Sequence, residues 1–355
     1  MPQEQVLNRN LAALTGVRFL AASAVLMFHF GAGFAHRIHA PEVMVHILTN
    51  GYLGVPLFFV LSGFIITYSH FDEAFTTGRT AHFMLARVAR IYPVYLLSLL
   101  LMLPVLATPL SPIDAVSVLT MTQAWTPPAS GHGYTWVMQA WTLSIEAVFY
   151  LLFPLVWPLL RRLPIAAIHG LALLSMVIIV VFGTPSISPG VKMVPLLGAD
   201  TRVWIPILRM PEFALGMTLC AIFVRCDRTR AILRGTAVEI VLALAILIVM
   251  AKADTMQTKA LFAPLAGLLL FALANGEGAL TRLLATRPMI LLGGASYALY
   301  ILQGPVRALC AAIIHPPLDQ FASPIVTLGA AILAFLFVEQ PARRAILAPF
   351  RKRRP

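Results

Sequence analysis

Residues 11–34, LAALTGVRFLAASAVLMFHFGAGF, decide the fold. The stretch is long and apolar enough to cross a bilayer as one helix, yet it carries Arg18 and His29. A charged side chain inside a bilayer costs on the order of 3 kcal/mol even on the mildest insertion scale. Eleven residues make three helical turns, so both side chains share one helix face about 16 Å apart. We interpret this face as part of a polar site. The alternative is that Arg18 snorkels to the surface and His29 is a hydrogen-bonded core residue.

The composition indicates an integral membrane protein. Of the 355 residues, 59% are hydrophobic and only 11% are charged. The cysteines, Cys220, Cys226 and Cys310, have no paired spacing, so we predict no disulfide framework and no metal site. The first apolar run is too long for the core of a signal peptide and is interrupted by Arg18, so we expect it to remain in the protein.

Runs of about 17 to 25 mainly apolar residues predict ten transmembrane helices, to within about one. The predicted fold class is therefore all-α, a polytopic integral membrane helix bundle. The seventh run is short, the eighth contains Pro264, and 112–125 are consistent with an additional amphipathic or re-entrant helix. The ten runs are 11–34, 52–70, 83–107, 141–160, 164–183, 204–224, 237–251, 259–275, 288–314 and 322–340.

Basic residues predict that both termini lie in the cytoplasm. With that orientation, eighteen of the 26 Lys and Arg residues fall on the inner side, five on the outer side and three inside helices. This bias accounts for the net charge of +12 without nucleic acid as a partner. We predict one membrane-embedded domain, 1–355, with a basic cytoplasmic tail, 341–355, in which 351–354 anchor the topology near anionic lipid headgroups.

Two arginines open the predicted third helix in the motif RVARIYP, 87–93. Arg87 and Arg90 are three residues apart and so share a helix face. Guanidinium groups match phosphate oxygens in a bidentate manner, which predicts a site for a phosphorylated cytoplasmic donor such as coenzyme A. The alternative is that both arginines snorkel and anchor the topology.

The predicted fourth helix opens with WTLSIEAVFY, 141–150, on the outer side. Trp141 and Glu146 are candidate substrate-binding residues, because Glu146 would lie about one turn in, near the outer interface. Pairing of Glu146 with Arg209 is an equal alternative to catalysis. Arg209 and Glu212 are also three residues apart, which predicts an intramembrane ion pair beside a proline kink.

Small residues in the second helix, Gly54, Ser62 and Gly63, favour close helix packing. Ser62 as a nucleophile activated by His29 is disfavoured, because no third triad residue is visible. Glu339 ends the tenth helix, near the predicted level of Arg18, Arg87 and Arg90. A direct ion pair with one of these arginines is the simplest explanation.

Seven segments carry a resemblance along nearly the whole chain. They are LTGVRFLAA (14–22) with His29 beyond it, GVPLFFVLSGF (54–64), RVARIYP (87–93), WTLSIEAVFY (141–150) followed by FP (153–154), RMPEF (209–213), SY (296–297) and EQP (339–341). In this order they resemble the membrane acyltransferase-3 family, which includes bacterial O-antigen and Nod-factor acetylases and macrolide acyltransferases.

The resemblance implies a bundle of about ten helices that moves an acyl group from cytoplasmic acyl-CoA to a hydroxyl, usually of a carbohydrate. It also implies that His29 is the catalytic histidine, that Arg18 is a required intramembrane arginine, and that Glu339 is a functional acid. Arg87 and Arg90 would form the donor-site motif.

The chain departs from the family pattern at two positions. Gln303 stands where many relatives have a histidine, so no proton transfer is assigned there. Thr15 replaces an acid that often precedes the arginine of the first helix. The chain ends soon after the last predicted helix, so it resembles the stand-alone type without an appended esterase-like domain.

From these features we predict a membrane-bound O-acyltransferase of the bacterial inner membrane. Acetyl-CoA would be the donor substrate, a carbohydrate or glycolipid the acceptor, and His29 the general base. Arg18 and Glu339 would position the donor or stabilise charge, with no permanently bound cofactor. The alternatives are a secondary transporter or flippase, a donor such as succinyl-CoA, and a small-molecule acceptor such as a macrolide.

Overall fold

The computed structural model describes residues 3–105, 111–125, 136–182, 191–196, 199–316 and 318–351. These residues are helical except for connecting turns and one antiparallel hairpin of two strands, β1 (Val191–Leu196) and β2 (Ala199–Trp204). A π-helical turn, Phe335–Glu339, joins the last two helices. The α-helices are α1 (Gln3–Arg37), α2 (Glu42–Thr49), α3 (Gly54–Ser69), α4 (Thr77–Met102), α5 (Pro112–Leu119), α6 (Trp141–Leu160), α7 (Ile165–Phe182), α8 (Ile205–Leu208), α9 (Met210–Arg225), α10 (Asp227–Ile232), α11 (Thr236–Lys252), α12 (Met256–Ala260), α13 (Phe262–Ala274), α14 (Ala279–Leu284), α15 (Arg287–Gly294), α16 (Ser296–Ile313), α17 (Leu318–Ala334) and α18 (Gln340–Arg351).

The helices confirm a polytopic membrane bundle. In the described ranges, 8 helical stretches are long and apolar enough to cross a membrane, and the pair α15 and α16, bent by 53°, adds a ninth. Helix α11 is rich in apolar residues and is 17 residues long, which is the lower limit for a membrane span. Each of the ten predicted helices therefore corresponds to a helical stretch of the structure. The orientation, with both termini inside, stays a prediction.

Three boundaries differ from the sequence expectation. The second span begins at Glu42 and reaches Ser69 through α2, a 3-10 turn and α3. The additional helix expected in 112–125 is a single short one, α5, which Ser111 caps by accepting a hydrogen bond from the backbone N–H of Asp114. The predicted tail from 341 is helical as far as Arg351, because the last span continues through the π-helical turn into α18. Residues 352–355 lie outside the described residues.

Glycines bring α3 and α9 into close contact. A Cβ added to Gly63 would meet the backbone oxygen of Phe213, and one added to Gly216 would meet that of Val60. Gly54 packs in the same way against α1. Small residues allow this approach of backbones in a membrane, so the packing role expected for Gly54 and Gly63 is confirmed.

A break between α15 and α16 positions the first turn of α16. Gly293 lies against the backbone oxygen of Thr15 in α1, and Gly294 lies under the ring of Phe335 in the π-helical turn. Side chains larger than hydrogen would not fit at either position without a shift. The bend therefore brings α1, α16 and the π-helical turn together.

Candidate functional site

A cavity lies between α1, α3, α4, α6 and α16, with about 780 Å³ of empty space when the space open to solvent is included. Its walls are partly apolar, with Phe58, Phe59 and Ile65 from α3 among them. Charged and hydroxyl groups from all five helices complete the lining. They are Arg18, Ser62, Arg87, Arg90, Thr142, Glu146, Tyr150, Tyr297 and Tyr300.

Aromatic rings of α4 and α6 contact Arg87, the first arginine of the motif RVAR. The Cζ atom of Arg87 lies 5.1 Å from the ring centre of Phe83 and 5.8 Å from that of Tyr150. Such cation–π contacts orient a guanidinium without neutralising its charge. Arg90 lines the same cavity one turn further along α4, as the spacing predicts. The pair therefore presents two positive charges to one space.

Glu146 shares this cavity with the arginines. The hydroxyl of Tyr150 donates a hydrogen bond of 2.8 Å to Oε2 of Glu146. The carboxylate interacts electrostatically with Arg90, Arg18 and Arg87. One carboxylate faces three arginines at the cavity wall, so the lining carries an excess of positive charge.

The position of Glu146 differs from the sequence expectation. We expected it near the outer interface, apart from the arginines predicted on the inner side, but it lines the same cavity as Arg18, Arg87 and Arg90. Gln139 and Ala140 before α6 and Trp141 at its start are all buried, so the helix begins among neighbouring elements of the bundle. One turn into this helix is therefore already deep in the bundle.

Two tyrosines of α16 connect the cavity walls. The hydroxyl of Tyr297 donates to the backbone oxygen of Ile91 in α4 (2.9 Å), next to Arg90. The hydroxyl of Tyr300 donates to the backbone oxygen of Gln139 (3.3 Å). Sequence reasoning did not assign either side chain to a site. Their three-residue spacing in the motif SYALY, which places both on one helix face, is the signal that was available.

His29 lies outside this cavity lining, three turns beyond Arg18 on α1. Its ring is half-buried and contacts that of Phe28 at 4.9 Å. Its backbone oxygen accepts a hydrogen bond of 3.3 Å from Nη1 of Arg307, whose Cζ lies 5.5 Å from the ring centre of Phe30. Arg18 and His29 thus share a face of α1 but lie at different depths.

A buried amide layer separates the two levels. Gln303 lies on α16 between Tyr300 and Arg307, at spacings that place the three on one face. Gln303 is 1% exposed. Its Oε1, like Oε1 of Gln139, has no hydrogen-bond partner in the part of the chain that the structure describes. Buried amide oxygens are usually satisfied, so these two stand out as acceptors, and neither side chain lines the cavity.

Glu339 ends the π-helical turn, a geometry that is frequent at functional sites. It is 5% exposed and interacts electrostatically with Arg90, Arg18 and Arg343. No ion pair within 4.0 Å among the described residues includes Glu339, so the direct pairing expected from the sequence is not seen. Its Oε2 also lacks a hydrogen-bond partner there.

The ion pair predicted between Arg209 and Glu212 is confirmed. Nη1 of Arg209 lies 2.6 Å from Oε1 of Glu212, and both side chains are buried. The guanidinium Cζ lies 5.9 Å from the ring centre of Trp141 and 6.0 Å from that of Phe59. Trp141, a candidate substrate contact, therefore packs on this ion pair and does not line the cavity.

The family model described as "Acyltransferase domain" (Acyl_transf_3) matches residues 11–338. The chain belongs to this acyltransferase family. The acyltransferase is also similar to Acyltransferase MdmB of Streptomyces mycarofaciens, with 32% identity over 310 residues, which cover 82% of this chain and 77% of the relative. No solved structure matches it. The family resemblance read from the sequence is thus confirmed, and the apolar spans make the acyltransferase a multi-pass membrane protein.

Proposed function

We propose that this acyltransferase moves an acyl group, in the simplest case acetyl, from cytoplasmic acyl-CoA to a hydroxyl of a carbohydrate or glycolipid in the bacterial inner membrane. The observation that carries the proposal is the convergence of Arg18, Arg87 and Arg90 on one cavity. A ligand that carries phosphate complements this positive charge, and acyl-CoA is a phosphorylated acyl donor.

The two arginines of α4 would hold donor phosphates. Arg87 and Arg90 share a helix face, so their guanidinium forks can bind adjacent phosphate oxygens. The apolar wall from Phe58, Phe59 and Ile65 suits the pantetheine arm and the acyl chain. In the predicted orientation, the phosphates enter from the cytoplasm and the thioester points towards the middle of the membrane.

His29 would act as the general base at the level where the acceptor meets the thioester. Its neutral imidazole accepts the proton of the acceptor hydroxyl, and the hydroxyl oxygen attacks the thioester carbonyl carbon. The carbon–sulfur bond breaks, its electron pair goes to sulfur, and the imidazolium returns the proton to the thiolate. The products are an ester and free CoA. Arg18 and Glu339 would position the donor along this path.

The spacing of Arg18 and His29 on α1 gives the distance that the pantetheine arm must span between the arginines and the catalytic histidine. Arg18 and His29 are three turns apart, which is about 16 Å. The amide oxygens of Gln303 and Gln139 have no hydrogen-bond partner among the described residues, and they could accept from the acceptor hydroxyl or from an amide N–H of the pantetheine arm. In this arrangement the donor and the acceptor would enter from opposite sides of the membrane.

The test uses purified protein in detergent with acetyl-CoA and a panel of acceptors: a membrane glycolipid fraction, free oligosaccharides and a macrolide. Release of free CoA thiol, together with acetylated product, measures transfer. We expect His29→Gln to bind acetyl-CoA normally but to transfer at least about 100-fold more slowly, since general-base catalysis typically contributes this much. His36→Gln is the matched control, because His36 lies on the same helix and is exposed.

Two results would contradict parts of this proposal. Unchanged transfer by His29→Gln would remove His29 from the chemistry. Acetylation of the macrolide alone would replace the carbohydrate acceptor with a small molecule.

A further inference from the structure

A second cavity, open at the surface, lies between the start of α4 and the helix α18, with about 1200 Å³ of empty space when the space open to solvent is included. Four of its lining residues, Gln340, Arg343, Arg344 and Leu347, follow one another at spacings of three, one and three. These spacings place them on one face of α18. His82 of α4 lines the opposite side. Residues of α18 lie beyond the segment, 11–338, that matches the family model.

The lining combines guanidinium groups with aromatic rings. Arg343 and Arg344 both line the cavity, and Nη2 of Arg344 donates a hydrogen bond of 3.1 Å to Oε1 of Gln340. The ring centres of His82 and Phe350 lie 5.8 Å apart. Guanidinium groups bind phosphate, and aromatic side chains stack on the flat face of a nucleobase. The combination fits a nucleotide that carries phosphate groups.

The second cavity adjoins the first. Glu339 lines the second cavity and interacts electrostatically with Arg90, which lines the first. The positive charge of Arg343 is also close enough to repel those of Arg90 and Arg87. His82 and Arg90 are eight residues apart on α4, which is about 12 Å along the helix. A single extended ligand can therefore reach from one cavity into the other.

We propose that the second cavity binds the nucleotide half of the acyl donor. Arg343 and Arg344 bind the 3′-phosphate of coenzyme A, and the adenine lies against His82 and Phe350. The diphosphate then lies near Arg90 and Arg87, and the pantetheine arm enters the first cavity. This inference rests on the proposed function, because it takes acyl-CoA as the donor.

The other role for these arginines is to anchor α18 to anionic lipid headgroups. The two roles differ in what the arginines discriminate. A nucleotide site senses the 3′-phosphate of CoA, whereas a lipid anchor does not. Binding of CoA and of 3′-dephospho-CoA therefore separates them.

The experiment measures saturable binding of radiolabelled acetyl-CoA to the full chain in detergent, with unlabelled CoA and 3′-dephospho-CoA as competitors. We expect the wild type to prefer CoA by at least about tenfold, the typical contribution of a charge-assisted hydrogen bond. Arg343→Ala/Arg344→Ala should lose this preference. Arg282→Ala/Arg287→Ala is the matched control, since both arginines are exposed and line neither cavity, and it should keep the preference.

A wild type that binds acetyl-CoA, with a double variant that keeps the full preference for CoA, would overturn this site and leave the proposed function intact. Loss of binding to phosphatidylglycerol vesicles in that same variant would identify a lipid anchor. A folded wild type that binds no acetyl-CoA would overturn the proposed function as well. If the alanine variant fails to fold, Arg343→Lys/Arg344→Lys replaces it. We expect that variant to keep its charge but to show a reduced preference, because lysine lacks the bidentate fork.

Discussion

The membrane bundle contains arginines in two different surroundings. Arg209 is 1% exposed, paired with Glu212 and packed between aromatic rings. Arg87 and Arg90 line an open cavity in which Glu146 is the only acidic lining residue among those described. The first group is closed and compensated, whereas the second has space and excess positive charge. Space and uncompensated charge together indicate a ligand site, and burial of charge alone does not.

The energetic roles should differ accordingly. A compensated buried pair is costly to break from one side, because removing one partner leaves an unpaired charge in the interior. A set of like charges around a cavity contributes little to stability, because its members repel one another. The predictions below use this contrast, from the largest expected effect to the smallest.

The ion pair should give the largest loss of stability. Glu212→Leu leaves the guanidinium of Arg209 without its carboxylate partner and should destabilise the fold by about 3–5 kcal/mol. The double variant Arg209→Met/Glu212→Leu should recover most of this loss, since it removes both charges. Thermal unfolding in detergent, followed by tryptophan fluorescence, measures both. A single variant that melts like the wild type would show that the pair is not structural.

The cavity arginine of α1 should behave in the opposite way. Arg18→Leu should lower acyl transfer by at least about tenfold, because one charge-assisted contact to the donor is lost. Its melting temperature should stay close to that of the wild type. A large loss of stability with normal transfer would place Arg18 in the structural group.

Helix α3 contributes to both regions, with Phe59 against Arg209 and Ser62 at the cavity, so its packing sharpens the comparison. Gly63→Ala places a Cβ against the backbone oxygen of Phe213 and should destabilise the fold by about 1–3 kcal/mol through overpacking. Gly170→Ala is the control, because nothing lies within 4 Å of an added Cβ there. Equal melting of the two variants would argue against the tight contact.

The smallest effect is expected at Tyr150. Tyr150→Phe removes the hydroxyl that donates to Glu146, a contribution of about 1 kcal/mol. Without this hydrogen bond, Glu146 competes more strongly with donor phosphates for the arginines. We therefore expect acetyl-CoA to bind a few-fold more weakly, as measured by titration. Tighter binding would reverse the role given to this contact.

Sequence reasoning located the helices well, because hydropathy and helix length respond to the same membrane thickness. It also located the pairs that a single helix places together, such as Arg87 with Arg90 and Arg209 with Glu212. Local spacing decides these contacts, so no knowledge of the tertiary structure is required.

Depth and tertiary contacts were not accessible in the same way. The sequence did not show that Glu146 shares a cavity with Arg18, Arg87 and Arg90, since this depends on how α6 packs against α1 and α4. The helix α18 was not expected, because nothing in the sequence marks the π-helical turn that extends the last span. The cavities themselves arise from contacts between helices that are far apart in the chain.

The central claim is that the cavity at Arg87 and Arg90 is the donor site, and saturable binding of radiolabelled acetyl-CoA to the purified protein tests it most directly. We predict that the wild type binds and that Arg87→Ala/Arg90→Ala loses about 100-fold or more in affinity while it remains folded, since two charged contacts are removed. Arg282→Ala/Arg287→Ala should bind like the wild type. Undiminished binding by a folded Arg87→Ala/Arg90→Ala variant would contradict the account.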